Sequence, residues 1–288
     1  MRAEGVKLAV MNILSQQSIK YPAQISGVGL HTGKSVHVKL KPASAGTGIV
    51  FVRTDMRQKF PVMANRVQQT PLCTLLKNSQ GETLSTVEHL MSALSALGVD
   101  NLIVEVDGPE LPILDGSAAP WVALLDKGKL EPLDAPKEVL VVEEDVQVEM
   151  DGKVAIARPH QGFEIELEID YDHPQLPHQT GKFSVDEAMF RKEVAKAHTF
   201  CLKKDIDAMR AAGLIKGGTL ECAVVFDDDG PVGGTKLNYP DEALRHKLLD
   251  AIGDLYMEGK PIVGSIYLKY PGHALNNALL KEIVKRFA

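Results

Sequence analysis

Strand-type segments followed by helix-type segments occur twice along this chain, once on each side of a proline-bearing stretch at 128–137. That order constrains the fold more than any composition figure, because it is the mark of α+β architecture. In the first half, residues 25–70 read as β-structure. Val36, Val38 and Leu40 alternate with polar residues, and glycines at 27, 29, 33, 46 and 48 punctuate the turns. Ser85 and Glu88 have the spacing of a capping box, which predicts a helix over 86–97 that ends at Gly98. A short strand follows at 101–106 and a second helix at 118–126.

The 128–137 stretch, with Pro132 and Pro136, reads as a linker. Beyond it, strands are expected at 139–142, 146–149, 154–157, 163–170 and 261–270, and helices at 185–194, 241–258 and 274–286. The division is therefore an N-terminal extension at 1–22, a first domain at 23–131, a linker at 132–137 and a second domain at 138–288. An internal structural repeat is compatible with this pattern, although the halves share too little sequence identity to show one. Within the second domain, about 199–229 reads as a small β-α-β insertion with an apolar face. That face is either an ordinary crossover connection or a greasy groove at a domain edge, and periodicity alone leaves both open.

Composition excludes several classes. The net charge is −6 and no basic block stands out, so nucleic acid is not an expected partner. The apolar run at 8–14 lacks a small-residue cleavage site and is too short to span a bilayer. It reads as a mobile extension or short helix ahead of the first strand. No other segment approaches a membrane span, so a soluble protein without a stable membrane anchor is expected. Cys73, Cys201 and Cys222 are widely spaced and form no CxxC pair, which suits a reducing cytoplasm.

The chemistry concentrates in RHKLLDAIGDL at 245–255. At about 3.6 residues per turn, His246, Asp250 and Asp254 stack on one helix face. Leu248, Leu249, Ile252 and Leu255 give the same helix an apolar face to bury. A His and an Asp one turn apart can present two ligands to a single ion. His89 can supply a third, with the adjacent Glu88 holding a water beside the metal. His273, where a loop enters a helix, can protonate a leaving amine while Asp254 holds its second ring nitrogen. Each of these also has a bland reading as a packed or solvated side chain, and no HExxH motif decides between them. An α+β binding module with structural histidines is the non-enzymatic alternative.

Five segments occur in order: GVGLHTGK at 27–34, STVEHLMSAL at 85–94, PILDGSAAPW at 112–121, RHKLLDAIGDL at 245–255 and GHALNN at 272–277. As a set they resemble the UDP-3-O-acyl-N-acetylglucosamine deacetylases of lipid A biosynthesis, the LpxC family, over about residues 22–286. The resemblance implies two α+β domains of similar topology, with helices packed between two β-sheets as a two-layer sandwich per domain. It implies one catalytic Zn²⁺ held by His89, His246 and Asp250, with Glu88 as general base and His273 as general acid. Asp254 corresponds to the carboxylate behind the acid histidine, and Lys247 to a substrate-binding lysine. Thr199 corresponds to the threonine that stabilises the tetrahedral oxyanion. Phe200 corresponds to an aromatic lining the sugar and acyl region, and the β-α-β insertion falls at the family's hydrophobic acyl passage.

The implied reaction is zinc-dependent hydrolysis of the 2-acetamido group of UDP-3-O-acyl-N-acetylglucosamine, giving acetate and UDP-3-O-acyl-glucosamine. A monomer in the cytoplasm of a Gram-negative type bacterium is expected, with the acylated UDP-sugar as its partner. The alternative on the same scaffold is another zinc amidohydrolase acting on a different acylated amino sugar. Two departures matter. His198 stands where many members carry arginine, which puts a constant charge there in doubt. Tyr270 stands where many carry a basic residue thought to meet the diphosphate, leaving Lys269, one position earlier, as the substrate-binding candidate.

Overall fold

The structure, a computed structural model, describes residues 15–68, 70 and 72–288. The first half runs β1 (Ser15–Ile19), β2 (Ala23–Val28), β3 (Ser35–Pro42), β4 (Ile49–Arg53), β5 (Gln58–Pro61), β6 (Val67–Gln68), β7 (Leu75–Lys77), β8 (Thr83–Ser85), α1 (Glu88–Ala96), β9 (Leu102–Val106) and α2 (Ala119–Gly128). The second runs β10 (Leu130–Pro136), β11 (Leu140–Val141), β12 (Val146–Met150), β13 (Lys153–Arg158), β14 (Phe163–Ile169), β15 (Gln179–Ser184), α3 (Glu187–Glu193), β16 (Phe200–Leu202), α4 (Ile206–Ala211), β17 (Val224–Asp227), β18 (Gly230–Pro231), α5 (Glu242–Leu255), β19 (Ile262–Lys269) and α6 (His273–Phe287).

Two sheets carry the molecule, and they have one topology. The first is ordered β2-β3-β9-β4-β5 and the second β12-β13-β19-β14-β15. In each, the central strand is the last in sequence, antiparallel to one neighbour and parallel to the other. The repeat that sequence identity does not show is thus present in strand order. Alternation in β3 sends Val36, Val38 and Leu40 inward, all of them buried. α2 packs on β2, α5 on β14 and β15, and α6 on β12 and β13, while α1 and α5 pack on each other. Helices therefore lie inside and sheets outside, in an α+β fold.

The α1–α5 crossing is unusually close. A Cβ added at Gly253 would lie 2.2 Å from the Glu88 carbonyl oxygen. A glycine in mid-helix costs about 1 kcal/mol against alanine, and here it lets the two backbones touch. Around the contact, Leu90, Leu94, Leu248, Leu249 and Ile252 are fully buried, each at a position where truncation to alanine costs about 2–5 kcal/mol.

Three readings of the sequence are corrected. Ser15–Ile19 belongs to no helix or loose extension: it is a strand paired antiparallel with β10, while 1–14 lies outside the described residues. The stretch read as a linker is mostly β10 itself, because its prolines fall where an edge strand tolerates a missing N–H. The capping box does not form. Val87 precedes α1 without a side-chain cap, Thr86 adopts φ +59°, and the Glu88 carboxylate is used elsewhere. The sequence reading also passed over β15, a polar edge strand whose pairing with β14, rather than apolar alternation, makes it a strand. The β-α-β insertion is present, with β16 and β17 parallel and α4 between them. Among the described residues no helix is long and apolar enough to cross a membrane.

Candidate metal centre and its cleft

Three helices deliver the chemistry. Glu88 and His89 open α1, His246, Asp250 and Asp254 lie along α5, and His273 opens α6. The Gly253 contact brings the start of α1 against the middle of α5. There His89, His246 and Asp250 offer ligand atoms that all lie within 4.8 Å of one another.

The protonation states follow from the contacts. His246 Nδ1 lies 3.0 Å from the Ala197 carbonyl oxygen. A carbonyl only accepts, so Nδ1 carries the proton and Nε2 keeps its lone pair. His246 Nε2 is 3.4 Å from Asp250 Oδ1, and His89 Nε2 is 3.8 Å from the same oxygen. Burial, reinforced by His246, pushes the His89 imidazole down to about 3, and burial likewise lowers His246. Burial resists ionisation of Asp250, but the Lys247 ammonium, 2.8 Å from Oδ2, and His246 outweigh it and hold the carboxyl well below its usual range. Two neutral imidazoles and one carboxylate therefore converge, and the free lone pair of His246 Nε2 faces the acceptor Oδ1 of Asp250. Such a set is repulsive by itself and fits a divalent cation, for which these are the required ligand states.

Glu88 and His273 flank this trio. The Glu88 carboxylate accepts the Thr74 backbone N–H at 3.1 Å. Burial lifts it to about 8, with Asp250 and Asp254 adding to the rise against His273. For His273 burial works against the cation, but the charge and hydrogen bond of Asp254 prevail and raise it to about 9. Asp254 Oδ2 accepts from His273 Nδ1 at 2.8 Å and from Asn276 Nδ2 at 2.9 Å, while Oδ1 accepts from Thr74 Oγ1 at 2.5 Å. The remaining His273 nitrogen is Nε2.

Glu88, His273 and the trio line a cavity of about 110 Å³ together with Lys247, Thr199 and Phe200. It adjoins an apolar cavity of about 240 Å³ inside the insertion, lined by Cys201, Ile206, Met209, Ile215 and Val225. Leu30, His31, Leu72, Thr199 and Phe200 line both. The apolar face of the β-α-β unit is thus a cavity wall. Thr199 is fixed by its backbone: its N–H donates to Gly116 O and its carbonyl accepts from Val224 N–H, each at 2.8 Å. Gly116 permits this, since at φ +82° an added Cβ would lie 1.8 Å from the Cys222 carbonyl oxygen. Phe200 meets His246 edge-on at 6.3 Å, and Lys247 Nζ lies 5.8 Å from its ring centroid.

Of the residues singled out from sequence, Asp254 lies behind His273 rather than in the cavity wall. Lys269 is not brought to the cavity either. Its ammonium lies 3.7 Å from Glu168 and 5.3 Å from the Tyr270 ring centroid. His198 has a carboxylate partner. Its Nδ1 is 2.7 Å from buried Glu242, and that hydrogen bond raises the imidazole above its ordinary range against the effect of burial. Sequence reasoning missed Thr74 and Asn276. Asn276 was within reach of it, being one helical turn beyond His273. Thr74 lies in an aperiodic stretch with no signal. His31 was missed too: its half-buried side chain lines both cavities.

A family model described as UDP-3-O-acyl N-acetylglycosamine deacetylase matches residues 16–285. The UDP-3-O-acyl-N-acetylglucosamine deacetylase of Pseudoalteromonas atlantica strain T6c is 43% identical over 281 residues, covering 96% of this chain and 92% of that protein. The protein of the same name from Haemophilus influenzae strain PittEE is 42% identical over 276 residues, covering 94% and 90%.

Proposed function

We propose, from the premise that the chain belongs to the UDP-3-O-acyl N-acetylglycosamine deacetylase (LpxC) family, that His89, His246 and Asp250 hold one zinc ion between Glu88 as general base and His273 as general acid. The reaction is hydrolysis of the 2-acetamido group of UDP-3-O-acyl-N-acetylglucosamine, a step of lipid A biosynthesis. A zinc ion bound there supplies Lewis acidity, acidifying water and polarising a carbonyl. The single observation that carries the assignment is the convergence of two neutral imidazoles and one carboxylate, from two different helices, in a buried pocket.

The protein's own groups do the rest. Ionised Glu88 accepts the proton of the attacking water. The Thr199 hydroxyl donates to the oxygen on which negative charge develops. His273, protonated and held through Nδ1, donates to the departing nitrogen, because an amide nitrogen leaves poorly as an anion. Lys247 and Phe200 at the cavity wall contact the sugar, and the adjoining apolar cavity takes the 3-O-acyl chain at about 0.8 kcal/mol per buried methylene. Lys269, at the end of β19 and outside the cavity wall, is assigned to the nucleotide end of the substrate. The domain division at 23–131 and 138–288 is part of the same reading, one sheet to each. So is a cytoplasmic setting, which suits a nucleotide-sugar substrate and three free cysteines.

The test is acetate release from a 3-O-acylated UDP-N-acetylglucosamine, with metal analysis. About one zinc per chain and loss of turnover on chelation are expected. Chelator-insensitive turnover, or equal turnover of the unacylated sugar nucleotide, overturns the assignment.

A further inference from the structure

We propose that Thr74 is a positioning residue that ties the proton-accepting side of this site to its proton-donating side. It lies just ahead of β7 and is buried. Its carbonyl accepts the Thr86 N–H at 3.0 Å, which anchors it to the residue of positive φ just before α1. Its N–H donates to Glu88 Oε2 at 3.1 Å. Its hydroxyl lies 2.5 Å from Asp254 Oδ1 and 3.2 Å from His273 Nδ1. One residue at the entry to the short β6-β7-β8 sheet therefore contacts functional side chains of three helices.

The single hydroxyl proton has only one destination. A carboxylate only accepts, so Oγ1–H goes to Asp254 Oδ1. The oxygen's lone pairs then face His273 Nδ1, whose proton is shared between Asp254 Oδ2 and Thr74 Oγ1. This holds Asp254 from both sides, Thr74 on one oxygen and Asn276 on the other. It also keeps the proton of His273 on Nδ1 as well as on Nε2, the nitrogen left to donate. On the opposite flank, the Thr74 N–H occupies one Glu88 oxygen and leaves the other for water. The β-branched side chain suits this task, because its χ1 is stiff.

The proposal rests on the roles given above to Glu88 and His273, so Glu88→Gln is run alongside as the control. In the zinc-loaded protein, Thr74→Ala is expected to lower kcat by about 10–100-fold, the range for outer-shell partners. KM should stay within about twofold, and zinc content and melting temperature near the parent values. Thr74→Ser, which keeps the hydroxyl, should recover to within about threefold of the parent. If the alanine variant is recovered unfolded, Thr74→Cys, of similar size with a weaker donor, carries the same expectation. Near-parent kcat in Thr74→Ala, a serine variant as slow as the alanine one, or activity lost in proportion to zinc each overturns the proposal. A Glu88→Gln variant that retains full turnover instead sinks the functional reading, and this proposal with it.

Discussion

Burial lifts the Glu88 carboxyl to about 8, and Asp254 lifts His273 against burial to about 9. An ordinary carboxyl and imidazole differ by about 2 units and both titrate below 7, so both groups are displaced upward. A divalent cation beside Glu88 adds positive charge and brings its carboxyl down. The same cation acts on His273, but there the charge and hydrogen bond of Asp254 are the main support of the proton. The loaded enzyme should therefore show a bell-shaped profile, with the acidic limb below 8 from Glu88 and the alkaline limb from His273 no higher than about 9. In His273→Ala the alkaline limb should disappear from kcat/KM, and an unchanged limb removes His273 as the acid. The sign for stability follows. His273 is raised above its unfolded value of about 6.5, so its contribution is complete below that pH and is lost as pH rises through about 9. Glu88→Gln should retain metal, since Glu88 is outside the ligand trio, yet slow hydrolysis by about 10²–10⁴-fold. Zinc analysis and single-turnover acetate release check both halves.

At the scale of elements, the site depends on how closely α1 approaches α5. Valine at Gly253 would place its Cβ 2.2 Å from the Glu88 carbonyl oxygen, a rigid backbone atom. The helices must then separate, parting His89 from His246 and Asp250. Gly253→Val should cost about 3 kcal/mol or more and release zinc at concentrations where the parent is saturated. Normal zinc binding with a normal melting temperature would show that the crossing does not set the site. Much at this level was legible in the sequence. The spacing of His246, Asp250 and Asp254 put them on one face of α5, and Gly98 marked the end of α1. What escaped had physical causes. Glu88 matched a capping box because capping and catalysis both favour a carboxylate in a first helical turn, and only the fold shows where it turns. The prolines of β10 looked like a linker because an edge strand and an extended connection have the same composition. Thr74 gave no pattern, since its role comes from contacts across 180 residues to Asp254. The mid-helix Gly253 was a usable signal.

On the scale of the molecule, the two sheets share strand order without recognisable sequence identity, because alternation and turn placement set topology while residue identity drifts. The consequence is a candidate metal-binding trio assembled from both copies: His89 comes from the first and His246 with Asp250 from the second. Binding an ion only in the folded state adds stability of about 4 kcal/mol when free metal is about a thousand times Kd. At about 2–4 °C per kcal/mol for a chain somewhat smaller than this one, chelation should lower the melting temperature by about 8–16 °C. The halves should nevertheless melt together without metal, for they are joined away from the site. Tyr256 donates to the Val99 carbonyl at 2.9 Å, Lys137 pairs with Asp100 at 2.8 Å with both buried, and Glu258 accepts the Ala64 N–H at 2.8 Å. The α1–α5 contact adds continuous apolar burial between them. Calorimetry of the chelated protein should show one transition, shifted down, and Asp250→Ala should melt lower than the loaded parent with no further shift on chelation. Two separated transitions after chelation would mean that the ion, rather than the packed interface, holds the two copies together.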